Sequence, residues 1–326
     1  MGNRWLATRL ELLGNTTVLL ASLCTTFSTK YFGLSAGMAG LSVSYALSIT
    51  EVLNMAVRMM SEMETNIVSI ERVKEYQAIE QEAKWEGETE LPKDWPEKGE
   101  IQFENYAMRY REDLPKVLKN IDLKISGGEK IGIIGRTGSG KSSLTMALYR
   151  MIKATEGEIK IDGIPTDSLG LHQLRKKMII IPQEPVVFSG TLRFNLDPFN
   201  EKHDDEIWKA LDVCQLKEFA SSGTGKLDRH IAEGGKNMSM GERQLLCLCR
   251  AVLRGGRIVI LDEATASVDA VTDGVVQRAV RTHFPTSTTL AIAHRLDTIA
   301  DSDRILVLDD GHVAEFDTPS NLLRNP

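Results

Sequence analysis

Charge is absent between Glu11 and Lys30, and again between Lys30 and Glu51. At ~1.5 Å per helical residue, each run is about long enough to cross a ~30 Å hydrocarbon core. Both are rich in Ser, Thr and Gly, which suits helices packed on other helices, with Gly33, Gly37 and Gly40 as points of close approach. From hydropathy alone, a pair of buried helices in a soluble protein stays open as the alternative. The second run continues past Glu51. From there to about Tyr76 no Gly or Pro occurs, and Val52, Met55, Met59, Met63, Ile67, Ile70 and Val73 recur at the three- and four-residue spacing of one helix face. The pattern predicts a single helix from about Leu34 to Ala78, ~65 Å long, whose methionine stripe packs against neighbouring helices. Spans fall at about 10–30 and 33–55, with the helix extending to 79. Arg4 and Arg9 before the first run, and Arg58, Arg72 and Lys74 after the second, put both ends in the cytosol and Lys30 in a short outer loop.

Residues 80–98 change character. They are charged, hold Pro92 and Pro96, and read as an exposed linker. Beyond them the apolar positions bunch into short runs. Lys130–Gly135 reads as a buried strand, Ser143–Tyr149 as a helix, and Ile258–Leu261 as a parallel strand covered on both faces.

The chemistry sits where those elements end. Gly135-Arg136-Thr137-Gly138-Ser139-Gly140-Lys141-Ser142 lies between the first strand and its helix and fits the pattern GxxxxGK[ST]. Such a loop turns backbone N–H groups inward on phosphate oxygens, and the following helix adds its positive end. Lys141 can reach the β- and γ-phosphates, and the Ser142 hydroxyl can reach Mg2+. Asp262 closes the later strand, at the edge where ligands bind in open α/β sheets, and is suited to hold Mg2+ directly or through water. Glu263 follows as a candidate general base for the attacking water. Together these point to hydrolysis of ATP or GTP. Between them lies Asn237-Met238-Ser239-Met240-Gly241-Glu242-Arg243-Gln244, by itself only a helix start with Ser239 as N-cap.

In this order the motifs resemble the nucleotide-binding domain of an ABC transporter, from about Ile101 to Pro326. Met238 to Glu242 stands at the family signature, usually LSGGQ. Gln183 matches the Q-loop, Ser267-Val268-Asp269 the D-loop, His294 the switch histidine, and Tyr110 the aromatic that stacks on adenine. The finer resemblance is to subfamily C, the multidrug-resistance-associated proteins. It rests on Ile101–Tyr106 with Arg109–Pro115, on Phe188–Pro198 and on Ser61–Asn66. The retained Glu263 resembles the second of that subfamily's two nucleotide-binding domains.

The resemblance implies an α/β P-loop NTPase domain of the ABC ATPase kind over 99–326, behind a linker at 80–98. Residues 1–79 would be the last two transmembrane helices of an all-α exporter domain. It implies ATP and Mg2+ held by Tyr110, the loop Gly135 to Ser143, and Asp262. Ser142, Gln183 and Asp262 would serve the metal, while Glu263, His294 and Gln183 would serve catalysis. Ser239 and Gly241 would complete the ATP site of a first nucleotide-binding domain. Met240 and Glu242 depart from the usual signature Gly and Gln, which puts that partner site in question rather than the one built on Lys141 and Glu263. Implied partners are that first domain, the remaining transmembrane helices, the lipid membrane, and an organic-anion or conjugate cargo. Two spans, where the family's membrane domain has six, imply a fragment or a truncated gene product.

At 326 residues the chain has room for a full α/β domain and a short membrane piece. A net charge of −6 leaves no footprint for nucleic acid. Cys24, Cys214, Cys247 and Cys249 are too few and too uneven for a disulfide framework, and read as reduced thiols facing the cytosol. His172, His203, His230, His283 and His312 show no metal spacing. A secretory leader fits poorly, because the first apolar run is Thr-rich and no clean small-x-small site follows. Two further readings stay open beside the exporter: a regulatory or channel-type relative gated by ATP, and a soluble ABC ATPase, against which the uncharged runs argue.

Overall fold

A computed structural model describes residues 2–324 except 34, 88, 223–224, 265–268 and 294–298. The chain falls into two compact units, Met1–Gln81 and Glu82–Pro326.

The first unit is a helical hairpin of α1 (Gly2–Phe32) and α2 (Ala36–Gln77). Gly33 ends α1 in the left-handed region at φ +67, and the Ser35 hydroxyl caps α2 by accepting from Met38 N. The second helix therefore begins at Ala36. Both helices are long and apolar enough, by length and composition, to cross a membrane. Their many hydroxyls turn inward along the helices. Thr16 donates to the Leu12 carbonyl at 2.7 Å, Ser22 to Val18 at 2.8 Å and Ser42 to Met38 at 2.9 Å. A hydroxyl spent this way exposes no unpaired donor to an apolar surround. Leu12, Leu19, Phe27, Leu41, Ile49 and Met59 are all exposed within the unit.

The second unit is built on two sheets. β1 (Ile101–Met108), β2 (Leu118–Ile125), β4 (Ala154–Ile161) and β5 (Ile164–Pro165) form an antiparallel sheet in the order β2-β1-β4-β5. The larger sheet contains β3 (Lys130–Gly135), β6 (Met178–Ile181), β9 (Ile258–Asp262), β10 (Thr288–Ile292), β11 (Arg304–Asp309) and β12 (His312–Asp317). Its order is β12-β11-β3-β10-β9-β6, parallel except for β12. A two-stranded ladder joins β7 (Gly190–Thr191) to β8 (His230–Ile231). Among the described residues its α-helices are α3 (Lys141–Leu148), α4 (Leu171–Lys177), α5 (Leu192–Leu196), α6 (Asp204–Val213), α7 (Lys217–Ser221), α8 (Met240–Arg254), α9 (Ala270–His283) and α10 (Pro319–Leu322).

β9 shows why its sequence is apolar without alternation. Ile258 and Ile260 enter a core shared with the antiparallel sheet, while Val259 and Leu261 enter a second core against the helices. A strand covered on both faces has no position to give to a polar residue. α8 is buried almost as thoroughly, with every side chain from Gln244 to Cys249 shielded from solvent. Cys214, Cys247 and Cys249 are consequently free but buried, and do not face the cytosol as expected; Cys24 alone among the cysteines is exposed.

The segment expected to be an exposed linker is charged and mostly exposed, yet it is tied down from Glu82 onward. The Glu82 carboxylate takes both arms of Arg175 at 2.9 and 3.1 Å. The carbonyls of Lys84 and Trp85 accept from Leu171 N and His172 N at 3.1 and 3.0 Å, which satisfies orphan donors at the start of α4. Farther along, Trp95 is buried and donates through Nε1 to the Ile161 carbonyl at 3.3 Å.

Candidate active site

β3 and β9 lie on either side of β10 with all three parallel, so the loops leaving their carboxyl ends emerge on one edge of the sheet. The glycine-rich loop leaves β3. A Cβ on Gly135 would stand 2.3 Å from the Leu308 carbonyl oxygen and 2.5 Å from Ser139 Oγ, so only glycine lets the strand turn there. Gly140, at φ +104, occupies the N-cap of α3. Ser139 N donates back to the Arg136 carbonyl at 3.1 Å, and Gly311 N, in the turn after β11, braces the loop through the Ser139 carbonyl at 3.1 Å.

Lys141 is buried, and its ammonium donates to the carbonyls of Gly135 at 2.8 Å and Arg136 at 2.9 Å. Arg136, Thr137, Gly138 and Ser142 are exposed beside it. The Ser139 hydroxyl is buried without a hydrogen-bond partner among the described residues, a polar atom that calls for one. A tight loop with exposed residues, a buried lysine and an orphaned hydroxyl suits a chain of phosphates.

Tyr110 follows β1 directly. Its hydroxyl pairs with Ser143 Oγ at 2.8 Å, which anchors the ring against α3, and the side chain remains half exposed. Ser143 is thereby engaged by Tyr110 rather than by the loop itself.

The acids emerge from β9. Burial, with the Glu263 charge next to it, pushes the Asp262 carboxyl above its ordinary value. Glu263 sits at φ +47, in the left-handed region that non-glycine residues rarely occupy, and its N–H is fixed on the Ile292 carbonyl at 3.1 Å. β6 pairs with β9 in parallel, Ile181 opposite Leu261, so Gln183 leaves the sheet beside the two acids. Its Nε2 donates to Glu263 Oε2 at 2.6 Å. No group of three or more His, Cys, Asp or Glu stands close enough to cage a metal among the described residues. Mg2+ does not need such a cage: one or two carboxylates and substrate phosphates commonly hold it, together with water. Asp262, Ser142 and Gln183 carry oxygen atoms of the type such a site uses.

The segment before α8 forms a capping box. Glu242 N donates to Ser239 Oγ at 3.2 Å, and Ser239 N donates to Glu242 Oε2 at 2.7 Å. The unexpected acid at 242 thus has a local structural use. Gly241 lies against the start of α9, where an added Cβ would meet Thr272 Oγ1 at 3.0 Å. Asp269 caps α9, accepting from Val271 N and Thr272 N at 3.1 Å and from Thr272 Oγ1 at 2.8 Å. His294 and Ser267 lie outside the described residues.

Residues 118–266 match the family model for ABC transporters. The chain is 52% identical over 324 residues to ATP-binding cassette sub-family C member 3 of Homo sapiens, covering 99% of this chain and 21% of that protein. It is 55% identical over 323 residues to metal resistance protein YCF1 of Saccharomyces cerevisiae, covering 98% of this chain and 21% of that protein. The chain belongs to the ABC transporters, in their subfamily C. It spans about a fifth of the length of these curated relatives. A solved bacterial Atm1-family ABC exporter with ATP bound has the same fold, with a TM-score of 0.77 and 25% identity, over 97% of this chain and 56% of that one.

Three residues of this ABC transporter domain were not legible as site residues. Thr272 donates to Asp269 Oδ1 and stands where a Cβ added at Gly241 would meet its hydroxyl. Gln244 and Arg250 tie α8 to the segment that carries Gln183. The available signal was polarity out of place, an amide and a guanidinium inside the otherwise apolar stretch from Leu245 to Val252 and its border.

Proposed function

We propose that this chain is the ATP-binding and ATP-hydrolysing part of a subfamily C exporter. In this reading 1–79 are two membrane-crossing helices of a multi-pass membrane domain, 80–98 connect them to a cytosolic nucleotide-binding domain, and 99–326 form that domain. The observation that carries it is the pairing of Gln183 with Glu263, 2.6 Å apart, on the sheet edge that also presents the phosphate loop.

The loop N–H groups and Lys141 hold the phosphates, and Tyr110 lays its ring on adenine. Ser142, Asp262 and Gln183 would hold Mg2+, which would neutralise charge on the phosphates. The Glu263 carboxylate, oriented by the Gln183 amide and by its own fixed backbone, takes the proton of the attacking water. His294, outside the described residues, would contact the γ-phosphate by the family resemblance. Ser239 and Gly241 face the ATP site of a first nucleotide-binding domain, and that domain returns its own signature to this site. The cargo in this reading is an organic anion or conjugate, such as one bearing glutathione, as the resemblance to subfamily C implies.

The test is ATPase activity of the 326-residue chain, alone and with a candidate first nucleotide-binding domain, for wild type and Glu263→Gln. Turnover should require the partner, and the substitution should reduce it ~100-fold or more while ATP binding is kept. Wild-type turnover in Glu263→Gln would remove Glu263 as the base. Absence of partner-dependent turnover despite binding and association would overturn the hydrolytic reading.

A further inference from the structure

Gln244 is only 1% exposed and adjoins the buried apolar run Leu245–Cys249 of α8. A buried carboxamide costs free energy unless it is paired, and a Leu or Met would fill the same space without that cost. Its Nε2 donates to the Pro182 carbonyl at 3.1 Å. Pro182 stands between the end of β6 and Gln183, and the Gln183 amide in turn donates to Glu263 Oε2 at 2.6 Å.

A second tie from α8 reaches the far end of the same loop. Arg250 Nη1 donates to the Val186 carbonyl and Nε to the Asn195 carbonyl, each at 2.6 Å. The Asn195 side chain takes Arg250 Nη2 and Phe188 N, both at 2.9 Å, and returns a donor to the Phe188 carbonyl at 2.9 Å. The segment from Pro182 to Phe188 is therefore anchored to α8 at both ends, with Gln183 beside the first anchor.

We infer that Gln244 is a positioning residue for the reaction. It fixes the Pro182 carbonyl and so keeps the Gln183 amide on the Glu263 carboxylate. The same contact makes α8, which begins at the signature serine, a rigid lever on the loop that orients the base. The inference rests on the hydrolytic role given to Glu263 above. It does not require Gln244 to touch nucleotide.

The experiment is a double-mutant cycle on the full chain with its partner domain, joined to hydrogen exchange on the same samples. Gln244→Met removes the donor at nearly constant volume. It should lower kcat ~10-fold and leave the KM for ATP within about twofold, since small misplacements of catalytic groups are read in turnover. In a Gln183→Ala background the same substitution should change kcat by less than about twofold, because the two residues act in series. Backbone exchange at 183–188 should rise ~10-fold, while that of β11 stays unchanged. Where Gln244→Met does not fold, Gln244→Asn, which keeps an amide but draws it back by one methylene, should show the same pattern. Equal losses of kcat in both backgrounds, or unchanged exchange at 183–188, would overturn the inference. Absence of turnover in the wild type would instead defeat the hydrolytic reading, and exchange would still decide whether Gln244 holds the loop.

Discussion

Asp262 carries a cost that its neighbours make visible. Burial, aided by the adjacent Glu263 charge, raises its pKa in the folded chain. A carboxyl whose folded pKa exceeds its unfolded one destabilises the fold as pH rises through that interval, because ionisation is easier in the unfolded chain. Without nucleotide or metal, Asp262→Asn should therefore melt above wild type at pH 8. The advantage should shrink as pH falls into and below the ordinary carboxylate range. Thermal unfolding in a chelator across that range checks the sign, and a difference independent of pH would contradict it. In the proposed function Lys141 and Tyr110 divide the ligand between them. Lys141→Ala should weaken ATP ~100-fold, the scale of losing charge-assisted contacts to phosphate, as read by titration calorimetry. Tyr110→Ala should weaken ATP more than a bare triphosphate, whereas equal loss for both would mean the ring does not meet the base. Lys141 and Asp262 were legible because their chemistry requires fixed spacing, a glycine loop with its lysine and an acid pair at a strand end, whereas Tyr110 came only with the family resemblance. Gln244 and Thr272 were not legible, because their meaning lies in the hydrogen bond to Pro182 and in the close approach to Gly241, far away in the chain.

Helix α8 shows how an element can depart from a family motif and still satisfy its own ends. Glu242 replaces the usual glutamine, and its carboxylate accepts the Ser239 N–H while the Ser239 hydroxyl accepts the Glu242 N–H. A glutamine could make the same reciprocal pair, so the acid adds chiefly a negative charge at the positive end of the helix. Ser239→Ala should cost about 1 kcal/mol in chemical denaturation, and Glu242→Gln less than about 0.5 kcal/mol. A Glu242→Gln loss as large as that of Ser239→Ala would mean the charge, and not the box, secures the helix start. The N-cap was readable from Ser239 alone. The burial of α8 around most of its girth was not, because the same leucines and cysteines would equally suit one packed face. The linker failed to read as anchored for a related reason. Its charges describe the exposed side, whereas the carbonyls of Lys84 and Trp85 that bind α4 belong to the backbone and leave no trace in the pattern.

At the scale of the molecule, the two units divide by the kind of solvent each one suits. The unit from Glu82 onward has two large cores and exposes scattered apolar side chains around a polar surface. The helical hairpin has little interior, turns its hydroxyls onto its own carbonyls, and exposes Leu, Phe, Met and Ile along both helices. In water that surface would drive association; in a bilayer it meets hydrocarbon and the remaining helices of a transporter. The cysteines provide a test that needs no introduced probe. Cys24 lies within the first candidate span, and Cys214, Cys247 and Cys249 are enclosed in the second unit, where burial pushes the latter two thiols above their ordinary values. The chain in native membranes should therefore resist alkaline extraction and bind no membrane-impermeant maleimide until it is unfolded, after which all four thiols should react. Rapid labelling confined to Cys24 before unfolding would place α1 in water and remove the membrane-crossing reading of the hairpin. Rapid labelling confined to Cys247 or Cys249 would instead show α8 opening, since those thiols can be reached only when its packing against the sheet is lost.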